Sequence, residues 1–449
     1  MGSSVTGGSS LNSSTGLGQG IDVDAFVQAA LAGDQANITN LQNQQTTLNS
    51  QSTALAKITS ELQALQSAAF NLADPLGSLA SQTATSSNSN ILSATASASA
   101  VAGAHSITVS ALATTSSFYT NPVASSSTTI GAGSFQIQVG SAAPVTVTVD
   151  STNNTLDKLA ASINNLDAGV RASVINDANG ARLAIVSGTT GAPGDLAISG
   201  NSTSLTFNKA VTGTNASLVV DGVPISSTSN TVTGAINGVT LNLASAATGT
   251  TVSLTVSPDT SKATDAINAF VSAYNTAITD INTQFTVNAD GSTGGPLNGD
   301  GPVREAQGSL LAAAAFSVTG NNGIVNLASL GVNLNNDGTL SVDQGQLASA
   351  LSSNYGDVQN FLQTTSSGFA QNFETSLNNL VSSGSGALAL DAQGIAQSSQ
   401  SLGQTISDLQ ASLAVKQQNL IQVYSQVNAT LEELPLLQQQ LSQQLAGLP

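Results

Sequence analysis

Ile406, Leu413, Leu420, Val427, Leu434, Leu441 and Leu448 recur every seven residues, with Leu402, Leu409, Val423 and Leu437 filling the complementary position and Lys416 and Thr430 interrupting it. Apolar residues at this spacing form the seam of a long amphipathic helix, and such a helix needs a partner to bury its stripe. At 1.5 Å per residue the stretch Leu402–Leu448 spans on the order of 70 Å, so only another long helix covers it. The other end of the chain supplies one. Leu41, Leu48, Leu55 and Leu62 are also spaced by seven, and Ile58, Leu65 and Leu72 lie on a neighbouring stripe until Asp74-Pro75 stops the pattern. The economical arrangement packs the two ends on each other as a helical stem, leaving residues from about 80 to 400 as an excursion. Pairing of each helix with a second copy of itself is the alternative. Pro435 lacks a backbone donor and its ring crowds the Leu431 carbonyl, which predicts a kink or break there.

The residues before the first heptads, Met1 to Gly20, are Gly/Ser-rich and aperiodic, which reads as a flexible arm. Asp22 is placed to cap a helix carrying Phe26, Val27, Ala30 and Leu31 before Gly33, with a second helical stretch after it. From about Ser86 to Val256 the apolar period changes to two, as in Ile107-Thr-Val109, Phe135-Gln-Ile137-Gln-Val139 and Val252-Ser-Leu254-Thr-Val256, the signature of half-buried strands. Thr155–Asn164 interrupts them with helical spacing. Asn179-Gly180, Asp221-Gly222 and Asn237-Gly238 each sit between strand-like runs and predict hairpins. Helical spacing returns over Ala263–Phe285 and Arg304–Phe316. Leu327–Leu347 carries a hairpin at Asn336-Asp337-Gly338, and a helix from about Val358 to Val381 precedes a linker at Ser382–Gly386. The fold class is therefore α+β: long terminal helices forming a coiled-coil or bundle stem, with β-rich domains inserted between them. The corresponding division is 1–40 for the arm and terminal helix, 41–80 for a stem helix, 81–258 for two β-rich domains, 259–400 for the returning helices and hairpin, and 401–449 for the heptad helix.

Composition narrows the function. The chain holds 8 Lys and Arg against 25 Asp and Glu, a formal net charge of −17, which opposes binding to nucleic acid or anionic lipid surfaces. No apolar run reaches the roughly 18 residues of a membrane span, and no Sec signal is visible. With no cysteine and one histidine, His105, neither a His-based triad nor a zinc site is expected. The turns Asn288-Ala-Asp290-Gly291 and Asn335–Asp343 lack the full oxygen series of a calcium loop and read as plain turns. Asp22 and Asp24 point different ways at a helix start, where capping and compensation of the helix dipole explain them better than acid/base work. No phosphate-cradling glycine loop is present. Catalytic residues, metal ligands and cofactors are expected to be none.

Several pieces in order resemble the axial proteins of the bacterial flagellum, and among them the hook-associated protein 2 family, the filament caps. Gly20-Ile21-Asp22-Val23-Asp24 is similar to that family's opening helix motif, and Ser86-Ser87-Asn88, Leu92–Ala96 and Gly103–Leu112 to its first strands. Asp221-Gly222-Val223 with Ser229–Val232 and Ile236–Leu241 resembles its hairpin region. Phe270-Val271, Tyr274-Asn275, Gly295–Asp300, Leu330-Gly331-Val332 and Asp337–Ser341 resemble its C-terminal half, while Thr155–Val186 resembles a module shared with flagellin and the hook-filament junction proteins.

The resemblance implies a non-enzymatic assembly factor. It would form a ring of about four to six subunits at the distal filament tip, hold and fold exported flagellin there, and prevent its leakage. It implies an extracellular protein exported without a Sec signal through the flagellar type III apparatus. A hook-associated junction protein and a cytoplasmic export chaperone are further partners it suggests. The oligomerisation seam is then expected at Leu41, Leu48, Leu55, Leu62, Ile406, Leu413, Leu420, Val427, Leu434, Leu441 and Leu448. A hook-filament junction protein and a secreted surface adhesin that binds glycans are the alternatives.

Overall fold

The computed structural model describes residues 22–287, 291 and 294–446. The Gly/Ser-rich arm, Ile21, Leu448 and the 288–290 part of the first acidic turn lie outside the described residues. Two long helices bracket the described residues: α1 covers Val23–Ala73 and α8 covers Ala387–Leu445. Asp22 caps α1 by accepting from the Ala25 amide at 3.0 Å. The helix then runs through Gly33 without a break, so one helix stands where the sequence suggested two stretches. Asp74-Pro75 ends it, since the residue before proline is driven out of the helical region. Helix α8 also continues through Pro435, so the break expected there is absent.

Between these ends the chain makes two nested excursions. β1 (Gln82–Ser86), β2 (Leu92–Ala96) and β3 (Gly103–Ala111) open a carrier domain, which the chain leaves at Thr114 and re-enters at about Gly213. The inner excursion holds β4 (Thr115–Thr120), β5 (Gly133–Val139), β6 (Val145–Val149), α2 (Leu156–Asn165), β7 (Val170–Asp177), β8 (Gly180–Thr190), β9 (Leu196–Ser199) and β10 (Phe207–Val211). The carrier is completed by β11 (Ala216–Val220), β12 (Val223–Ser227), β13 (Thr231–Ile236), β14 (Val239–Leu243) and β15 (Val252–Pro258).

Its sheets have the orders β1-β15-β3-β11-β12 and β13-β14-β2, and Ile107, Val109, Leu218, Leu241 and Leu254 fill the space between them. The nested domain has sheets β10-β4-β8-β7 and β6-β5-β9, closed by α2 over Phe135, Ile137, Leu159, Ile163, Leu183 and Ile185. Thr155 caps α2. The three Asn-Gly and Asp-Gly dipeptides form the expected hairpins. Asp221 and Gly222 both take positive φ (49° and 83°), the backbone a two-residue hairpin needs.

The two β cores are separate, and a polar clasp joins the domains. The Thr114 hydroxyl donates to the Thr212 carbonyl at 2.7 Å and accepts from the Thr214 amide at 2.9 Å. The Thr114 backbone carbonyl takes the Gly191 amide at 3.0 Å. Asn215 Oδ1 accepts from the Ala192 amide at 2.8 Å, and the Thr190 hydroxyl reaches the Thr228 carbonyl at 2.7 Å.

The chain returns to the stem through α3 (Thr260–Gln284) and α4 (Gly301–Ala314). It continues through β16 (Val332–Leu334), β17 (Leu340–Val342), α5 (Gln344–Ser353), α6 (Tyr355–Gln363) and α7 (Phe369–Val381). The single helix expected over 358–381 is thus two, α6 and α7. Gly368 follows a tight turn there, where an added Cβ would lie 2.7 Å from Thr364 backbone atoms. Helix α5 was not marked by periodicity. Carboxylates also start the returning helices: Asp259, Asp300 and Asp343 cap α3, α4 and α5 as Asp22 caps α1.

In the stem core, Leu55, Ile58, Leu62, Leu65 and Leu72 of α1 meet Ile267, Phe270, Tyr274, Ile278 and Ile281 of α3. Phe270 lies edge-on to Phe373 at 5.0 Å and to Phe369 at 5.6 Å, and Phe361 stacks on Phe369 at 5.5 Å. In a chain with only 3% aromatic residues, this cluster gives the stem most of its bulky anchors. No described helix is long and apolar enough to cross a membrane.

The clasp yields a specific expectation. Thr114→Val keeps the size of the side chain and removes every hydroxyl bond, to the Thr212 carbonyl and to the Thr214 amide and hydroxyl, so the Thr214 amide should exchange with solvent at least about tenfold faster, equivalent to roughly 1.4 kcal/mol of local opening. Hydrogen exchange read by NMR or mass spectrometry checks this, with amides of the β5–β6 hairpin as the unchanged control.

Candidate assembly surface

α1 and α8 run antiparallel. The rings of Phe26 and Tyr424 lie 5.9 Å apart, Lys416 Nζ meets Asp34 Oδ2 at 2.6 Å, and the Ser399 hydroxyl reaches Asn49 Oδ1 at 3.1 Å. These polar links are exposed and fix register more than they stabilise. Stability comes from the apolar stripe between the helices. Val27, Leu31 and Ile38 of α1 are buried there together with Ile406 of α8, and Leu402, Leu409, Leu413, Leu420 and Tyr424 are half-buried.

The expected seam positions divide into three groups. Leu55 and Leu62 are fully buried in the stem core against α3 and are consumed inside the chain. Leu41, Leu48, Leu413 and Leu420 are half-buried and Ile406 is buried, all along the α1–α8 pairing. Val427, Leu434 and Leu441 remain 44%, 47% and 58% exposed, and Val423, Leu437 and Leu445 are exposed beside them. Leu448 lies outside the described residues.

Two physical reasons account for the division. The first is length: the Phe26–Tyr424 contact places Val23, where α1 begins, opposite Val427, and α8 continues to Leu445. The second is helical drift. A helix of 3.6 residues per turn rotates about 20° per heptad away from a strict seven-residue stripe, so the α1-facing position passes from Leu420 to Tyr424 while Val423 swings out. Among the described residues this leaves an open apolar stripe from Val423 to Leu445, on the order of 33 Å long.

The polar residues singled out in the sequence serve local structure. His105 Nδ1 pairs with Asp221 Oδ2 at 2.7 Å, and that hydrogen bond holds the Asp221 carboxyl below its usual range. Asp337 accepts from the Thr339 amide and hydroxyl within its own turn. Asp22 is a cap and Asp24 sits in the first turn of α1. Sequence reasoning passed over Asp391, in the first turns of α8. Burial, then the neighbouring charge of Asp300 and a hydrogen bond with it, push its pKa up to about 6. No spacing rule flagged it, because Asp300 comes from a distant helix cap.

These features together describe a structural assembly protein, with a helical stem, nested β domains and an apolar seam left open at one end. Comparison with known proteins gives the particular family. The family model for the flagellar hook-associated protein 2 N-terminus matches residues 19–116, and that for its C-terminus matches residues 213–435. The gap between the two matches is the nested domain. A B-type flagellar hook-associated protein 2 of Pseudomonas aeruginosa is 31% identical over 436 residues, covering 88% of this chain and 90% of that protein. A flagellar hook-associated protein 2 of Escherichia coli is 28% identical over 366 residues, covering 76% and 77%. The crystal structure of the D1-D2-D3 domains of the flagellar cap protein FliD from Escherichia coli superposes with a TM-score of 0.59 at 28% identity, covering 76% of this chain and 99% of that one. The chain belongs to the flagellar hook-associated protein 2 family.

The Asp391 environment sets a pH dependence. Its folded pKa stands above the ordinary carboxylate value, so its contribution to stability is present at low pH and is lost as pH rises through about 6. Asp391→Asn, which stays neutral, should be more stable than the parent chain at pH 7.5 and close to it at about pH 3, below the ordinary carboxylate value. Thermal unfolding at both pH values measures this, and an unchanged difference between the two would contradict it.

Proposed function

We propose that this chain is a flagellar filament cap: a structural protein that self-associates at the distal tip of the filament and guides exported flagellin into place without catalysing a reaction. The observation that carries this reading is the open stripe on α8. An apolar helix face of this length is costly in water and becomes favourable when other helices cover it, so order in the stem is coupled to assembly. Family membership supports the site of action, since the Escherichia coli neighbour is named a flagellar cap protein. Flagellin is the partner this role requires. A junction protein and an export chaperone belong to the same reading as transient partners.

Immunogold microscopy with antibody to residues 86–256 on flagellated cells tests the role. Label at the distal tip is the expected result. Label at the filament base would point to a junction protein, and label over the cell body to an adhesin. The stripe itself is tested by Leu434→Asp combined with Leu441→Asp. Both side chains are exposed in the single chain, so the fold should be retained, while burying two carboxylates in an interface costs several kcal/mol and should abolish self-association. Native mass spectrometry reads the outcome, and an unchanged oligomer would contradict the proposal.

A further inference from the structure

Three asparagines of this chain stand in for a neighbouring strand. The Asn164 carboxamide accepts the Ala172 amide through Oδ1 and donates to the Ala172 carbonyl through Nδ2, both at 2.8 Å. Asn275 holds Leu340 by the same fork, at 2.6 Å from the amide and 2.8 Å to the carbonyl. Asn230 does so with Ala113, at 2.7 Å and 2.9 Å. A carboxamide presents a donor and an acceptor side by side, so it pairs with both backbone groups of one residue as an antiparallel strand does.

Two of these forks cover strand edges. β7 is the last strand of the sheet β10-β4-β8-β7, and Ala172 turns its N–H and C=O away from β8. Asn164, from α2, interrupts that edge. β17 has β16 on one side and Asn275, from α3, on the other. β12, the last strand of the carrier's five-stranded sheet, has a different stop. Val220 and Val223 flank the two-residue turn Asp221-Gly222, so the next residue, Pro224, opposite Val219, turns its nitrogen to the free edge. A proline nitrogen has no hydrogen to offer an added strand.

Irregularity interrupts two further edges. β10 shifts register between Lys209 and Val211, and β13 between Thr233 and Ile236, where Gly234 takes a φ of 77°. Lysine along an edge is a common guard, but this chain holds only 8 Lys and Arg, so neutral stops carry the task. The edges need them. Ile175 on β7 and Val223 on β12 are 53% and 57% exposed, β-branched residues against which an added strand would pack.

We propose that Asn164 and Pro224 are edge stops: they keep β7 and β12 from taking an extended segment of a second copy of this chain as an added strand. Side-chain contacts between folded copies stay open. This role is independent of the filament-cap reading and of the α8 stripe.

Asn164→Ala with Pro224→Thr in the full chain changes two exposed residues, so circular dichroism should stay as in the parent. At equal concentration the double variant should form thioflavin-binding oligomers at least about tenfold faster than the parent. Hydrogen exchange should show the amides at positions 172 and 224 unprotected in its monomer and protected in those oligomers. Asn164→Asp is the control. It loses the donor to the Ala172 carbonyl and should lower the unfolding temperature as Asn164→Ala does. It leaves a charge at the edge, however, and should stay as free of such oligomers as the parent. A folded double variant that forms them no faster than the parent would overturn the proposal. Equal oligomer formation by Asn164→Asp and Asn164→Ala would also overturn it, because lost stability alone would then explain the effect. If Asn164→Ala does not fold, Pro224→Thr alone decides by the same fluorescence and exchange readings, since Pro224 is exposed beside a hairpin turn.

Discussion

The structure depends on an unequal helix pair. α1 and α8 zip together through Leu31, Ile38, Ile406 and their half-buried neighbours, but α8 extends beyond the point that Val23 reaches. An α-helix satisfies its own backbone, so the extension needs no partner to be helical. It does need one to hide Val427, Leu434 and Leu441, which water leaves exposed at a free-energy cost proportional to their area. A stem that is complete at its base and open at its tip is folded as a single chain and still unfinished as a surface. In the function proposed above, association finishes it.

The rest of the chain is arranged so that this unfinished end does not disturb the body. The aromatic cluster around Phe270, Phe369 and Phe373 anchors α1, α3 and α7 far along the chain from the open stripe. The β domains each have their own core, and the inner one is tied to the outer by hydrogen bonds through Thr114, Asn215 and Thr190 rather than by shared apolar packing. Polar clasps of this kind are directional, which sets how one domain is aimed relative to the next. With charged residues at 7% of the chain, four aspartates, Asp22, Asp259, Asp300 and Asp343, are placed at helix N-termini, where each accepts a backbone amide that the helix leaves unpaired.

Much of this was legible in the sequence because it is written in periods. The switch from seven-residue to two-residue spacing near Ser86, and back after Pro258, marks the excursion from the stem, and the Asn-Gly and Asp-Gly pairs mark its hairpins. Less legible were features set by three-dimensional neighbours. Heptad spacing alone could not separate Leu55 and Leu62, which α3 covers, from Leu434 and Leu441, which nothing described covers, because the same apolar residue serves a core or a seam. Gly33 and Pro435 looked like breakers, yet packing and the long flanking helix carry the backbone through both. The split between α6 and α7 hangs on the turn before Gly368, which no spacing rule flagged. The Asp391–Asp300 pairing and the Thr114 clasp join residues far apart in the chain, and periodicity holds no information on such pairs.

The central claim is that the stripe from Val423 to Leu445 is open in the single chain and closed by assembly. Hydrogen exchange of α8 amides, measured at a dilution that gives monomer and again in the assembled oligomer, addresses it directly. Exchange across residues 423–445 should slow on assembly by about a hundredfold or more, corresponding to roughly 3 kcal/mol of added local stability, with the 55–72 segment of α1 unchanged. Equal exchange across 423–445 in the two states would contradict the account.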